Sequence, residues 1–193
     1  MAKDQWITLT KIDAAKRQVR QAIELWFANA DAVSIHTLLY ASVEIIHSLY
    51  RRATGKRLFF QNDAMKKTGL IKVIKDWPNF FKHGREDHEL NRVLDFNPSA
   101  NLVLFSACIA SLAQIDEGED DLMAALAFYL LIHYPDFFDE AARAHRPKGQ
   151  ALAYMRRLSK KSFLKAFLKG ARRRRRRAAP SVFSGAAVLA SRP

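Results

Sequence analysis

Cysteine occurs once in this 193-residue chain, glycine only seven times, and acidic side chains are absent from the last 47 residues. The lone Cys108 excludes an intramolecular disulfide and a thiolate zinc cluster, which fits a reducing cytoplasm. So few glycines supply neither a dinucleotide-binding loop nor a phosphate-binding one, and no serine lies in a nucleophile-elbow sequence. Long apolar runs are also missing. The longest uncharged one, Leu122 to Ile132, is well short of the roughly 20 residues that cross a bilayer, so no membrane span is expected. The start, Met-Ala-Lys-Asp-Gln-Trp, lacks the apolar centre of a signal peptide. No segment alternates apolar and polar residues between hairpin turns, so strands have no support.

What the chain does have is apolar content, 49% of its residues, and a charge that is unevenly placed. Residues 1–146 hold 18 Lys/Arg against 19 Asp/Glu, a net −1, while residues 147–193 hold the other 14 basic residues and no acid, a net +14. The expected organisation is one helical domain over 1–146 and a basic tail over 147–193.

Apolar residues of the body recur at helical spacing. Ile12, Ala15, Val19, Ala22 and Trp26 step by three and four, and Thr10 with Asp13 forms a capping box with the shorter acid, predicting a helix over about 11–29. Asp31 caps a second helix that Gly55 ends, and the short connection predicts an antiparallel hairpin. Apolar periodicity resumes at Leu70, and Pro78 should interrupt this third helix or open a fresh turn. Residues 84–95 read as a charged loop, and Asn97-Pro98 as the cap and first position of an apolar helix to about 115. The acidic stretch 116–121 then precedes a helix over about 120–133 that is apolar on most faces and so central. The fold class is all-α, a bundle of five or six helices.

Three strings in this order, Ile35-His36-Thr37, Asn79-Phe80-Phe81-Lys82-His83 and Phe96-Asn97-Pro98, resemble a group of uncharacterised bacterial proteins. Their usual pattern is Ile-His-Thr, then Asn-Phe-x-Lys-His-Ala-Asp-Arg-Asp, then Phe-Asn-Pro. The resemblance covers residues 8 to about 135, and this chain departs from it after His83, reading Gly84-Arg85-Glu86-Asp87. It implies a shared helical fold in which His36, Asn79, Lys82, His83 and Asp87 matter, and it implies no activity.

Asn79-x-x-x-His83 also resembles the latter part of the Arg-polar-x-x-x-His motif of HEPN domains, small helical bundles, many of them dimeric metal-independent ribonucleases. There the histidine does acid-base work on the ribose hydroxyl and the arginine stabilises phosphoryl charge. Pro78 stands here where the motif has arginine. The resemblance therefore implies an RNA-binding scaffold or degenerate ribonuclease, with His83, Asn79 and Lys82 as candidate catalytic residues, and it allows a homodimer. The competing reading has Asn79 and His83 hydrogen-bonding across a helix end while Phe80 and Phe81 fill the core.

A metal reading starts from His36, Tyr40, Glu44 and His47 on one face of the second helix. Glu44-x-x-His47 has the spacing of carboxylate-bridged di-iron bundles. Such bundles need a second motif of this kind and two more glutamates, and the chain has no second Glu-x-x-His. His83 could join His36 or His47 at a single ion, but no cofactor is expected. Cys108, among Phe105, Ala107 and Ile109, reads as a small buried hydrophobe.

In the tail, Ala151, Tyr154, Met155, Leu158, Ser162 and Ala166 form a stripe beside Arg156, Arg157, Lys160, Lys161, Lys165 and Lys169, predicting a basic amphipathic helix over about 150–169. The run Arg172, Arg173, Arg174, Arg175, Arg176 and Arg177 would follow in a disordered arm that contacts nucleic acid or another acidic partner without sequence preference. The same composition is also what GC-rich DNA yields in an unselected reading frame. A binding or regulatory role without catalysis is the expectation for the whole chain.

Overall fold

The computed structural model describes residues 6–58, 70–82, 93–116, 118 and 120–178. The protein is all-α: among the described residues there is no strand. The helices are α1 (Lys11–Phe27), α2 (Ala32–Thr54), α3 (Leu70–Lys82), α4 (Ala100–Ile115), α5 (Asp121–His133), α6 (Glu140–Ala144), α7 (Gly149–Arg157) and α8 (Lys160–Ala178), with a 3₁₀ turn at Pro135–Phe137.

α1 opens as its sequence dictates. The Thr10 hydroxyl accepts from the Asp13 backbone N–H, and the Asp13 carboxylate accepts from the Thr10 N–H at 3.0 Å. These hydrogen bonds hold the Asp13 carboxyl below its ordinary range. Four residues later than Phe27 the Asp31 carboxylate caps α2 through Ser34 N–H at 2.7 Å. Gly55, with φ +70°, ends it in the left-handed conformation that glycine adopts freely. Ala15, Val19, Ala22 and Ile23 of α1 and Leu39, Val43 and Ile46 of α2 lie in the core, and the two helices pack along each other. By length and composition α2 is also apolar enough to cross a membrane, and its inner face is buried against α1 and α4.

Pro78 does not break α3, contrary to expectation. The helix continues from Leu70 to Lys82 with Pro78 inside it. The lost backbone bond is offset by tertiary contacts: Trp77 is buried, its indole N–H donates to the Asp95 carbonyl at 2.9 Å, and α3 packs on α2. α4 starts two residues later than Pro98. Asn97 Oδ1 accepts from Ser99 N–H at 3.0 Å, so the asparagine closes a turn before the helix instead of capping it.

The acidic turn before α5 is an anchoring point. Asp120 caps α5 by accepting from the N–H groups of Leu122 and Met123, and its other oxygen takes Arg20 of α1. Asp116 takes Lys16 at 2.6 Å, and Asp121 takes Arg175 of α8 at 3.0 Å. α5 is central, touching α1, α4, α7 and α8.

The tail differs most from expectation. Residues 150–169 do not form one helix: α7 ends at Arg157, Leu158 is extended, and α8 begins at Lys160. Ser159 makes the restart local, its hydroxyl accepting from Ser162 N–H. The buried stripe is Phe163 and Ala171 with the partly buried Phe167, at four-residue spacing, while Tyr154 is 64% exposed. The arginine run is helical through Ala178, because α8 is already anchored along α5 and propagation adds a backbone bond for each residue fixed.

Candidate functional site

The three strings that carry the family resemblance meet in space around His36. The imidazole is fully buried on α2. Asn101 of α4 faces it, with Oδ1 2.7 Å from His36 Nδ1, and Asn101 Nδ2 donates to the Ala32 carbonyl at 3.0 Å. That second bond fixes the amide's orientation, so its oxygen faces the ring and Nδ1 is the donor. Trp77 and Phe81 of α3 and Phe96 approach the imidazole edge-to-face, with centroids 5.5, 6.1 and 5.2 Å away. Trp77 and Phe81 also pack on Phe96. The node ties α2, α3, α4 and the segment before α4 together, a structural task that buried, partnered polar groups perform well.

Around this node the other candidates separate. Asn79 is exposed. Lys82 is exposed too, with its ammonium 5.4 Å from the centre of the Tyr40 ring. Burial, and then the Glu44 carboxylate, raise the Tyr40 phenol above its ordinary value. His83 and Asp87 lie outside the described residues, and with them the expected closeness of His36 and His83. The metal candidates of α2 are spread along one helix, and the pairing of His36 or His47 with His83 lies outside the described residues. His36 and His47 are eleven residues apart on a continuous helix, about 16 Å along its axis, and Glu44 is about 12 Å from His36 by the same rise. Glu44 instead lines a shallow groove of about 420 Å³ with Lys11, Ala41, Ile45, Ser48 and Leu49. Among the described residues no three His, Cys, Asp or Glu side chains gather as metal ligands. Cys108 is fully buried, and burial pushes its thiol far above the ordinary range, so it is an inert core residue.

The largest concentration of charge is on α8. Its inner side meets α1 and α5: Phe163 stacks on Phe27 at 6.3 Å and meets Tyr129 edge-to-face at 5.0 Å. Lys160 lies 3.7 Å from the centre of the Trp26 ring and donates to the Trp26 carbonyl at 3.3 Å, at the negative end of α1. Burial lowers its pKa from the usual lysine value. The outer side carries Lys161, Lys165, Lys169, Arg172 and Arg173, all exposed, at helical steps of three and four. Arg174 reaches over Phe167, 5.9 Å from its ring centre, and Arg175 pairs with Asp121. Arg176 and Arg177 continue the helix. The result is a helical cationic ridge beside a body, residues 1–146, that is close to neutral.

A second set of basic groups was not anticipated from sequence. Arg146 and Arg156 both donate to the Ile132 carbonyl, at 2.9 and 3.5 Å, satisfying the negative end of α5. His133 is beside them, stacked on Tyr129 at 4.1 Å with Nε2 buried and unpartnered. Burial first, then Arg156 and Arg146, hold its pKa below the ordinary 6.5. The unfolded chain therefore binds a proton at this position that the folded chain refuses, so stability should fall as pH drops below 6.5 and level off below the folded pKa. Denaturant midpoints measured from pH 7.5 to 5 should show a steeper loss for the native chain than for His133→Gln. Parallel curves would remove His133 as the cause. Asn101 and His133 escape a reading of periodicity because each is an isolated polar residue in an apolar helix, and Arg146 and Arg156 because only the distant Ile132 carbonyl gives them a partner.

The chain matches no known protein family, no curated protein and no solved structure.

Proposed function

We propose that this protein is a binding protein without catalytic activity, and that it engages nucleic acid through the outer ridge of α8. The observation that carries the reading is the division of α8 into two faces. Its apolar side is packed on α5 and its outer side aligns Lys161, Lys165, Lys169, Arg172 and Arg173. Membrane surface helices insert their apolar face between lipids, and here Phe163, Phe167 and Ala171 are already engaged within the fold. Rigid rows of lysine and arginine instead suit phosphate backbones, where affinity comes from counterion release and carries little sequence preference. The neutral body adds little long-range attraction. His36, held by Asn101 and three aromatic rings, supports the bundle that presents this ridge.

The test is direct binding of the full chain to fluorescent duplex and single-stranded oligonucleotides of unrelated sequence at low salt. A variant with Gln at positions 161, 165, 169, 172 and 173 should unfold at nearly the native temperature and bind about 100-fold or more weakly. Undiminished binding by that variant would move the interface to the surface bearing Asn79 and Lys82 and favour an RNA-directed, HEPN-like role. Anionic vesicles captured in preference to oligonucleotides would contradict the reading.

A further inference from the structure

α4 and α5 are apolar on nearly every side, and residues of both line a hollow between them. The hollow between them has a volume of about 460 Å³. Small side chains make it: Ser106 and Ala110, one turn apart on α4, stand across from Ala127 on α5. Ile109, Leu130 and Phe138 give it apolar walls. Among the described lining residues the only ionisable one is Asp136, in the 3₁₀ turn at the mouth, and it is exposed. The Ser106 hydroxyl donates to the Leu102 carbonyl at 2.9 Å, so the free face of its oxygen can only accept.

From these features we infer that the α4–α5 cleft binds a small amphipathic amine, with its hydrocarbon body between Ile109 and Leu130 and its ammonium at Asp136. The volume is in the range of small-molecule pockets, and apolar walls with one charged orienting group are their usual composition. Charge selects the ligand class. An ammonium gains attraction from Asp136, whereas a carboxylate of equal length is repelled by it and finds no free side-chain donor among the described lining residues. This site is separate from the cationic ridge of α8, and it stands or falls independently of the nucleic-acid reading.

The experiment is a titration of the full chain with hexylamine, hexanoate and 1-hexanol, followed by amide and methyl chemical shifts and by calorimetry. Hexylamine should bind saturably, with shifts centred on Ile109, Ala127 and Leu130, and at least about fivefold more tightly than hexanoate, the scale of one exposed ion pair. Asp136→Asn should weaken hexylamine about fivefold and leave hexanol unchanged. Ala127→Trp should abolish binding of both by filling the hollow; if that variant unfolds, Ser106→Leu tests the same space from α4. The inference is overturned if no ligand shifts the cleft residues, or if hexanoate binds as well as hexylamine. It is also overturned if concentration-dependent dimerisation, lost in Asp136→Asn, occupies the cleft and excludes hexylamine.

Discussion

Phe163→Ala should lower the stability of this protein by about 3–5 kcal/mol, the usual cost of deleting a buried phenyl ring. Phe163 is only 3% exposed and contacts Phe27, Phe128, Tyr129 and Phe167, so it closes the core between α1, α5 and α8. Its loss leaves a cavity that the four surrounding rings cannot collapse into. A chain ending after Arg146 should lose more, because it also loses the Lys160 contact with Trp26 and the bonds from Arg156 to the end of α5. Thermal and urea unfolding of both variants are the checks. A truncated chain as stable and cooperative as the full one would show that the body is independent and that α8 merely rests on it.

His36→Ala should destabilise by a similar amount, about 3–5 kcal/mol, for a different reason. The substitution empties space among Trp77, Phe81 and Phe96, and it also leaves Asn101 Oδ1 buried without its donor. Asn101→Ala removes the acceptor that faces His36 Nδ1. Combining the two should cost less than the sum of the single changes, with a coupling of about 1–3 kcal/mol, as expected for partners in one buried bond. Strict additivity would show that the histidine acts through its rings alone. In either variant, undiminished nucleic-acid binding at temperatures where the protein stays folded would separate this supporting role from function.

Much of the bundle is legible in the chain because local rules and burial agree there. Thr10 with Asp13, Asp31 and Gly55 set the ends of α1 and α2 as their chemistry requires. Pro78 misleads because its cost is local whereas its compensation, the burial of Trp77 and the bond to the Asp95 carbonyl, comes from distant residues. The tail misleads for the opposite reason. Its charge dominates composition, and of the expected stripe Met155 and Leu158 pack on the core while Ala151, Tyr154, Ser162 and Ala166 are exposed, the packed residues of α8 being Phe163, Phe167 and Ala171. That packed stripe steps by four residues and was readable once the break at Leu158 and Ser159 was allowed. Of the candidate site, His36 and the meeting of its three strings are encoded in order along the sequence, but its partner Asn101 is not. Helix rise separates His36 from Glu44 and His47 on α2, while the single-ion pairing of His36 or His47 with His83 falls outside the described residues.

The measurement that bears most directly on the account is the salt dependence of oligonucleotide binding, for the native chain and for the variant with Gln at 161, 165, 169, 172 and 173. If the ridge of α8 carries the affinity, the logarithm of the association constant should fall linearly with the logarithm of salt concentration. For a duplex, the slope of the variant should be shallower by about 4 to 5, since each neutralised phosphate contact contributes about 0.9. Equal slopes and equal affinities for the two chains would place binding elsewhere and contradict the central claim.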